Sequence, residues 1–480
     1  MSTDKSKDLN GFLKSASQAG KIVREYAEKG KVIRVVSHLD ADGLSAAGIL
    51  GKSLFKMDSN FSIQIVKRLD ESVLKWLSGL EASMIIFADL GGGYLDLIKN
   101  YLSNFYVVVL DHHAPVDAQL DNFSHVNPHL YGFDGGEEIS GSGVVYLASK
   151  AMDESNIDMA CIAIVGALGD LQDKHKDREL SGINKYIVKD AVEANVLEVK
   201  RDLIFYGRET RPIHRALSST TTPFLPSLSG EEDKCLDFLS KLGIKLKEGD
   251  AWRTLSDLTP EEKKGLFSEL TKLLVSKGFP GDTALSLIGT IYVLPRENRW
   301  SPLRDAREYA SLINACGRTG KDGLGVAICM GDRGVALEEA ESVYDAYRKT
   351  LAKYISLVTS EPRFMEELDA IHVVHGENEI DEKILGAITT ILSTNGFFSE
   401  DKPIIAVASS DDGLLKISAR ESNSLVTRGV DLGAIVREAS MKFSGTGGGH
   451  NVAAGAEVPK NNLSNFIKCV NDLVRGKLEK

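Results

Sequence analysis

Nowhere in the 480 residues is there a run of about 18 apolar side chains, so no membrane-spanning helix is predicted. The opening Met1-Ser2-Thr3-Asp4-Lys5-Ser6-Lys7 is polar and has no apolar core of the signal-peptide kind, which makes the cytoplasm the expected location. Cysteine is scarce: Cys161, Cys235, Cys316, Cys329 and Cys469 are scattered, and no pair has zinc-ligand spacing. They read as small core residues in a reducing compartment. Positive charge is in deficit, with 57 Lys and Arg against 68 Asp and Glu and a net charge of −11. That excludes a globally basic nucleic-acid coat but not a local basic groove, nor a metal enzyme whose carboxylates are neutralised by cations. Repeats, coiled-coil heptads and low-complexity tracts are absent as well. Trp76, Trp252 and Trp300 show no stacking pattern and are expected to be packing residues.

What is there is an ordinary globular composition, 43% hydrophobic and 26% charged, long enough for two to four domains. The first 200 residues alternate strand and helix signals. Val32–Ser37, Ser62–Lys67, Met84–Ala88 and Tyr106–Leu110 read as strands; Leu44–Leu54, Ser72–Leu80 and Tyr94–Leu102 read as helices. Such alternation predicts an α/β fold with a parallel sheet, whose ligands bind outside the carboxyl ends of the strands. From Ser140 to Ala194 the pattern is helical. Residues 216–300 open with Ser218-Ser219-Thr220-Thr221-Thr222-Pro223, contain Glu261-Glu262-Lys263-Lys264, and read as an inserted, mainly helical module. A helix from Ala336 to Val358 should join two domains. Beyond it, mixed α/β signals return, with strands at Ile371–His375, Pro403–Ala408 and Leu414–Ala419 and helices at Asp381–Leu392 and Gly433–Phe443.

Acidic residues and histidines collect where strands end. Asp111-His112-His113 closes the Tyr106–Leu110 run. Ser37-His38-Leu39-Asp40-Ala41-Asp42-Gly43 lies between the first strand and the first helix. Its His38, Asp40 and Asp42 alternate, so in an extended turn they can converge, and Gly43 permits a tight entry into the helix. An Asp in such a loop is also a frequent helix N-cap, which accounts for one of the three but not comfortably for all. Asp89 follows the third strand, before Leu90-Gly91-Gly92-Gly93, where capping again competes with ligation. Asp170 sits in the small-residue segment Gly166-Ala167-Leu168-Gly169-Asp170-Leu171-Gln172-Asp173, which could pack closely on the site; a lone Asp there is more often solvated. Gathered at one sheet edge, so many carboxylates repel one another unless cations are present. Mixed carboxylate and imidazole ligands suit hard or borderline ions such as Mn²⁺. Two such ions bridged by one carboxylate, about 3.5–4 Å apart, are the usual clamp for hydrolysing phosphate esters.

With these segments in this order, the chain resembles the DHH phosphoesterase superfamily. The carrying motifs are His38-Leu39-Asp40-Ala41-Asp42-Gly43, Asp89, Asp111-His112-His113 and Asp170. Gly445-Thr446-Gly447-Gly448-Gly449-His450 resembles the glycine-rich signature of the DHH-associated domain, and Ile417-Ser418-Ala419-Arg420 its preceding strand. Leu312-Ile313-Asn314-Ala315-Cys316-Gly317-Arg318 resembles a segment of RecJ-type nucleases. Within the superfamily the chain is most similar to archaeal RecJ-like nucleases of the GINS-associated type, a subgroup that Gly207–Arg215 and the module after it fit. The resemblance implies a DHH catalytic domain over 1–215, the inserted module over 216–300, the end of the DHH domain and a linker helix over 301–358, and a smaller mixed α/β DHH-associated domain over 359–480. It implies that His38, Asp40, Asp42, Asp89, His112 and Asp170 hold two Mn²⁺ ions, with Mg²⁺ or Co²⁺ as alternatives, and that Asp89 bridges them. His113 would contact the scissile phosphate or protonate the leaving oxygen. Asp111 would act beside it, by orienting the imidazoles. Bacterial RecJ carries Asp where this chain has His38, which leaves open whether His38 binds a metal directly or supports a residue that does.

On the substrate side, Gly447, Gly448 and Gly449 offer backbone without side chains, whose N–H groups could bind phosphate. His450 could bond to phosphate or stack on a base. A glycine-rich turn alone is usually structural; its pairing with Arg420 and the DHH motifs favours function. Arg208, Arg211, His214 and Arg215 form the densest basic cluster, suited to phosphate or to ion pairing with Glu209 at a helix end. Arg318 could bind phosphate or pair with Asp305 or Glu308. Ser140-Gly141-Ser142-Gly143 opens a helix and could offer its N-terminus to phosphate or simply cap it. The leading expectation is a metal-dependent exonuclease on single-stranded DNA or RNA, linked to DNA replication or repair. The alternatives are a phosphatase for short oligonucleotides, cyclic dinucleotides or 3′-phosphoadenosine phosphate, and a replisome scaffold that binds GINS and, through it, the MCM helicase. No membrane partner is expected.

Overall fold

The computed structural model describes residues 7–118, 121–175, 177–220, 223, 225–279, 281–394, 398–410 and 413–479. Residues 1–6 of the polar opening segment, and Thr221 and Thr222 of the module's first stretch, lie outside the described residues. The chain divides into two units, one running to Tyr344 and one from Asp345.

The first unit opens with α1 (Leu9–Glu28), β1 (Ile33–His38), α2 (Ala41–Lys56), β2 (Phe61–Val66), α3 (Glu71–Ser78), β3 (Met84–Ala88), α4 (Leu95–Leu102), β4 (Tyr106–Leu110) and β5 (Phe123–Val126). The five strands form one parallel sheet in the order β2-β1-β3-β4-β5. Central strands covered on both faces read as continuous apolar runs, and Met84–Ala88 and Tyr106–Leu110 do so. Val36, Ile85, Phe87, Val107 and Val109 pack under α3 and α4. Their neighbours Val35, Ile86, Val108 and Leu110 face the larger core. That core is completed by α1, α2 and the helices that follow: α5 (Gly141–Met152), α6 (Ala160–Gly169) and α7 (Gly182–Glu193). The strand order reverses direction between β1 and β3, and in sheets of this order the ligand crevice opens at that switch point.

β6 (Glu198–Leu203) then leads into a mainly helical module with its own core of Leu203, Phe205, Leu239, Leu266, Leu270 and Leu274. It holds α8 (Ile213–Ser218), α9 (Glu232–Lys241), the short hairpin β7 (Lys247–Glu248) and β8 (Ala251–Trp252), α10 (Pro260–Ser276), α11 (Gly281–Leu285) and β9 (Ile288–Val293), which pairs antiparallel with β6. The charged stretch Glu261–Lys264 is the first turn of α10, started by Pro260 and a reciprocal Thr259–Glu262 capping box. Trp76, Trp252 and Trp300, expected to be packing residues, are instead exposed. Trp252 packs against the His214 ring, with the Lys247 ammonium over it. Four cysteines are buried and Cys469 is partly so, all free thiols.

α12 (Ala306–Arg318) and α13 (Asp322–Met330) return to the main core, and α14 (Val335–Ser360) runs from the first unit into the second. The second unit contains β10 (Met365–Glu367), β11 (His372–His375), α15 (Glu382–Thr394), β12 (Ile404–Ser409), β13 (Leu414–Arg420), α16 (Asn423–Thr427), α17 (Leu432–Lys442), β14 (Thr446–His450), β15 (Ala453–Pro459) and α18 (Leu463–Leu478). Its mixed six-stranded sheet has the order β10-β11-β12-β13-β15-β14. Leu415, Ile417 and Ala419 of β13 pack with Val436 and Ala439 of α17 and Phe466 and Val470 of α18.

One contact ties the helices of the first unit to the switch point. At Gly317, near the end of α12, an added Cβ would collide with the carbonyl oxygen of Leu39, in the loop between β1 and α2. Both partners are backbone, so neither can swing aside. Gly317→Ala is therefore expected to cost about 1–3 kcal/mol through overpacking, read as a lowered midpoint of thermal or denaturant unfolding.

Candidate metal centre

β1, β3 and β4 all deliver their carboxyl ends to the same crevice, and the loop after each carries an acidic group or histidine. At the end of β1, His38 Nδ1 lies 2.9 Å from Asp40 Oδ2. Asp40 is also the N-cap of α2: its Oδ1 accepts from the Gly43 N–H at 3.0 Å. Capping and clustering are thus not alternatives for this residue, because its two oxygens take one task each. Asp42, in the first turn of α2, is 2% accessible and accepts from the N–H groups of Gly141 at 2.7 Å and Ser142 at 3.0 Å. The Ser140–Gly143 helix start is thereby spent on the protein's own carboxylate rather than on a phosphate. Ser140 caps it from Gly143 N, as a cap should.

Asp89 follows β3 in a left-handed conformation with φ +61°, and is also 2% accessible. Its Oδ1 has no hydrogen-bond partner. His112 Nε2 stands 3.2 Å from it, without the alignment of a hydrogen bond. Gly141 and Gly166 keep this pocket open: a Cβ on Gly141 would strike Asp89, and one on Gly166 would strike Asp42 and Ser142.

After β4, Asp111 is saturated. Its Oδ2 accepts from Gly92 N at 2.7 Å; its Oδ1 accepts from His112 N at 2.8 Å and His113 N at 3.2 Å and meets His113 Nδ1 at 2.8 Å. This carboxylate orients His113, whose Nε2 is left for other work. Asn127 Nδ2 steadies the same turn from the His113 carbonyl at 2.8 Å. His112 is buried, with Nδ1 only 2.6 Å from the Gly135 carbonyl. A carbonyl can only accept, so Nδ1 carries a hydrogen, and Nε2 is the nitrogen that faces Asp89 and Asp42. Asp170, at the end of α6, has its Oδ2 4.0 Å from the His112 ring.

The structure brings together eight of the residues singled out in the sequence. Ligand atoms of His38, Asp40 and Asp89 lie within 4.8 Å of one another; so do those of Asp42, His112 and Asp170, and those of Asp89, Asp111, His112 and His113. The electrostatics register the crowding. Burial, then the charges of Asp42 and Asp40, push the Asp89 carboxyl well above the ordinary range. Burial also raises Asp170 to about 6, against the pull of His112. Burial works against the charged form of His112, but Asp170, Asp42 and Asp111 outweigh it and raise the group to about 9. Asp40 is held below its ordinary value by His38 despite burial. Carboxylates packed this closely, one with an orphaned buried oxygen, and an imidazole whose Nε2 faces them, fit divalent cations.

The basic residues are placed differently. Arg318 ends α12, and its charge helps hold Asp40 down. Its buried Nε has no partner, and no ion pair links it to Asp305 or Glu308, which sit at the opposite end of the helix, ~20 Å away. Arg208 is buried against Asp202 at 2.7 Å and Glu209 at 3.4 Å, so the ion-paired reading holds for it. Arg211 lies over the Tyr206 ring and donates to Ser219 Oγ at 2.7 Å. Arg215 is exposed beside Glu232 at 3.3 Å. Thr210 in this segment bonds Glu308 at the start of α12, the end away from Arg318.

In the second unit, Gly447–His450 is not a turn but the edge strand β14, paired antiparallel with β15. The His450 side chain lies outside the described residues. Arg420, at the end of β13, donates to Thr390 Oγ1 at 3.0 Å and to the Ala419 carbonyl. One residue went unnoticed in the sequence: the Arg437 guanidinium of α17 lies where a Cβ on Gly448 would come within 3.3 Å of its Nε. Nothing in the local sequence signals this, because the two meet only through the packing of α17 on β14. The backbone partners of Asp42, Asp111 and His112 were likewise invisible.

A family model described as the DHH-CID domain matches residues 205–288, and one described as the DHHA1 domain matches residues 370–476. An uncharacterised protein of Methanocaldococcus jannaschii is 30% identical over 483 aligned residues, 99% of this chain and all of that protein. The single-stranded-DNA-specific exonuclease RecJ of Thermus thermophilus is 29% identical over 191 residues, which are 38% of this chain and 28% of RecJ. Among solved structures, T. thermophilus RecJ in complex with Mn²⁺ has a TM-score of 0.59 at 18% identity, over 96% of this chain and 55% of that one. CDC45 of Entamoeba histolytica has a TM-score of 0.64 at 13% identity, over 96% and 99%. This chain thus spans about half the length of that RecJ, and at these identities the structural likeness concerns the fold.

The Asp111–His113 pair generates a pH dependence. Burial disfavours the charged His113 ring, but the Asp111 hydrogen bond prevails and raises the group from 6.5 to about 9. A raised folded-state value stabilises fully below pH 6.5 and loses that contribution as pH climbs through about 9. In metal-free protein, Asp111→Asn should return His113 towards 6.5 by NMR titration and flatten the fall in unfolding midpoint between pH 6 and 9.5.

Proposed function

Since this chain belongs to the DHH phosphoesterase superfamily as a RecJ-like member, we propose that it is a divalent-cation-dependent exonuclease acting on single-stranded DNA or RNA during replication or repair. The observation that supports the reading is the convergence of His38, Asp40, Asp42, Asp89, Asp111, His112, His113 and Asp170 at the β1/β3 switch point, with His112 Nδ1 held by the Gly135 carbonyl so that Nε2 faces Asp89. In this reading His38, Asp40, Asp42, Asp89, His112 and Asp170 would hold two cations, and Asp89 would be shared between them, since its ligand atom groups with His38 and Asp40 on one side and with His112 on the other. Mn²⁺ is the favoured ion because the set mixes carboxylates with imidazoles; T. thermophilus RecJ was crystallised with Mn²⁺ and with Mg²⁺. When bound, the cations supply an acidified water and neutralise charge on the phosphoryl oxygens.

The chain's own groups do the rest. Asp111 fixes the Nδ1–H of His113, so Nε2 of this half-exposed ring meets the scissile phosphate and hands a proton to the leaving oxygen. Arg318, with an unpartnered Nε beside Asp40, contacts a phosphate oxygen. In the second unit, the open edge of β14, with Arg437, Arg420 and His450, holds backbone phosphates of the strand. Arg208 takes no part, its charge being consumed by Asp202 and Glu209.

The assay is Mn²⁺ with end-labelled single strands. Wild type should release nucleotides stepwise and Asp89→Asn should be inert. His113→Ala should lose about 10²–10⁴ in kcat while its Mn²⁺ affinity stays unchanged. Cleavage confined to dimers and trimers would instead indicate a phosphatase for short oligonucleotides, and equal rates for wild type and Asp89→Asn would end the hydrolytic reading.

A second role, compatible with the first, is a replisome scaffold that binds GINS and through it the MCM helicase. It is favoured by the inserted module, which has its own core yet leaves Val275 and Leu285 exposed. The double substitution V275D/L285D should weaken GINS capture at least tenfold and leave nuclease rates intact; undiminished capture removes the module from consideration as the docking surface.

A further inference from the structure

Asp170 is among the more open of the proposed cation-holding residues, with a third of its side chain accessible. Among the described residues, a single side chain donates a hydrogen bond to it: Gln172, whose Nε2 lies 2.9 Å from Asp170 Oδ2. Gln172 is fully buried, and the same nitrogen spends its second hydrogen on the Gly135 carbonyl, also at 2.9 Å. That carbonyl is the acceptor that fixes the tautomer of His112. On its other side, Gln172 Oε1 accepts from Asn184 Nδ2 at 2.7 Å, and Asn184 is fully buried too. Only one orientation of the amide satisfies these contacts. Reversed, its oxygen would face a carboxylate and a carbonyl, neither of which can donate, and its nitrogen would face the Asn184 amide hydrogens.

We infer that Gln172 is a positioning residue for the metal centre: one amide holds Asp170 directly and His112 through the carbonyl they share, while Asn184 sets which way the amide points. The inference rests on the cation site proposed above. It also explains why a glutamine follows Asp170 by two residues at the turn leaving α6. A carboxylate there would repel Asp170, and an apolar side chain would leave both Asp170 Oδ2 and one lone pair of the Gly135 carbonyl without a donor. Partners of this kind, one contact removed from the cation, govern ligand orientation and are worth about 10–100-fold in metal affinity.

The test is isothermal titration of the full chain with Mn²⁺, alongside circular dichroism and unfolding midpoints in EDTA. Gln172→Met preserves the shape and removes the amide; it should weaken Mn²⁺ binding by about 10–100-fold. Asn184→Leu, which leaves the amide free to turn, should weaken it in the same direction. Because Asn184 acts only through Gln172, the double variant should bind no more weakly than Gln172→Met alone. Folded variants with affinities within threefold of wild type overturn the inference, as does a double variant whose losses simply add. If Gln172→Met does not fold, Asn184→Leu decides alone. If wild type takes up no Mn²⁺, or Asp89→Asn binds it as tightly as wild type, the cation site itself is refuted and the role of Gln172 falls with it.

Discussion

Three carboxylates, Asp42, Asp89 and Asp111, are withdrawn almost completely from water at a sheet edge that also holds Asp40 and Asp170. Burying one unpaired charge is costly; burying several beside each other is prohibitive without compensation. The surrounding structure is a set of answers to that cost. Asp42 receives the first free N–H groups of α5, where the helix dipole also favours a negative charge. Asp111 receives two backbone donors from its own turn, one from Gly92, and the His113 ring. Asp40 is answered by His38 and Gly43. Among the described residues, Asp89 Oδ1 is the one buried oxygen of the cluster with no donor, and that remainder is what a cation would complete.

The same logic separates the two histidines of the DHH triplet. They are adjacent in sequence and their rings are 4.3 Å apart, yet different acceptors hold them. A neutral carbonyl takes the Nδ1 hydrogen of His112, so that Nε2 of a buried ring faces the carboxylates. A carboxylate takes that of His113, on a half-exposed ring. In the proposed function the first imidazole binds a cation and the second delivers a proton.

Much of this was legible in the sequence, because buried parallel strands are apolar throughout and functional groups follow them directly. Met84–Ala88 with Asp89, and Tyr106–Leu110 with the triplet, needed no tertiary information. Elements without that signature escaped. α1 buries Ala16, Ala19, Gly20 and Ala27, residues too small to mark an apolar stripe. β6, with Lys200, Arg201 and Asp202, is a strand only because β9 pairs with it. β14 consists largely of glycine, which has poor strand propensity, and is held by β15 and α17. Among site residues, side chains at strand ends were found and backbone donors were not, since any residue supplies a peptide group. Between the two readings of Arg208 the sequence could not choose, because proximity along the chain says nothing about whether a guanidinium is already ion-paired, as that of Arg208 is.

The glycine strand has one more consequence. From Gly447 to Gly449, β14 ends the sheet, with no further strand paired to it among the described residues, and carries nothing beyond the main chain. In the proposed function, a polymer laid along it would meet peptide groups spaced at a fixed interval. Such an edge would be a ruler rather than a reader: it would measure the repeat of a backbone and be indifferent to the letters attached to it.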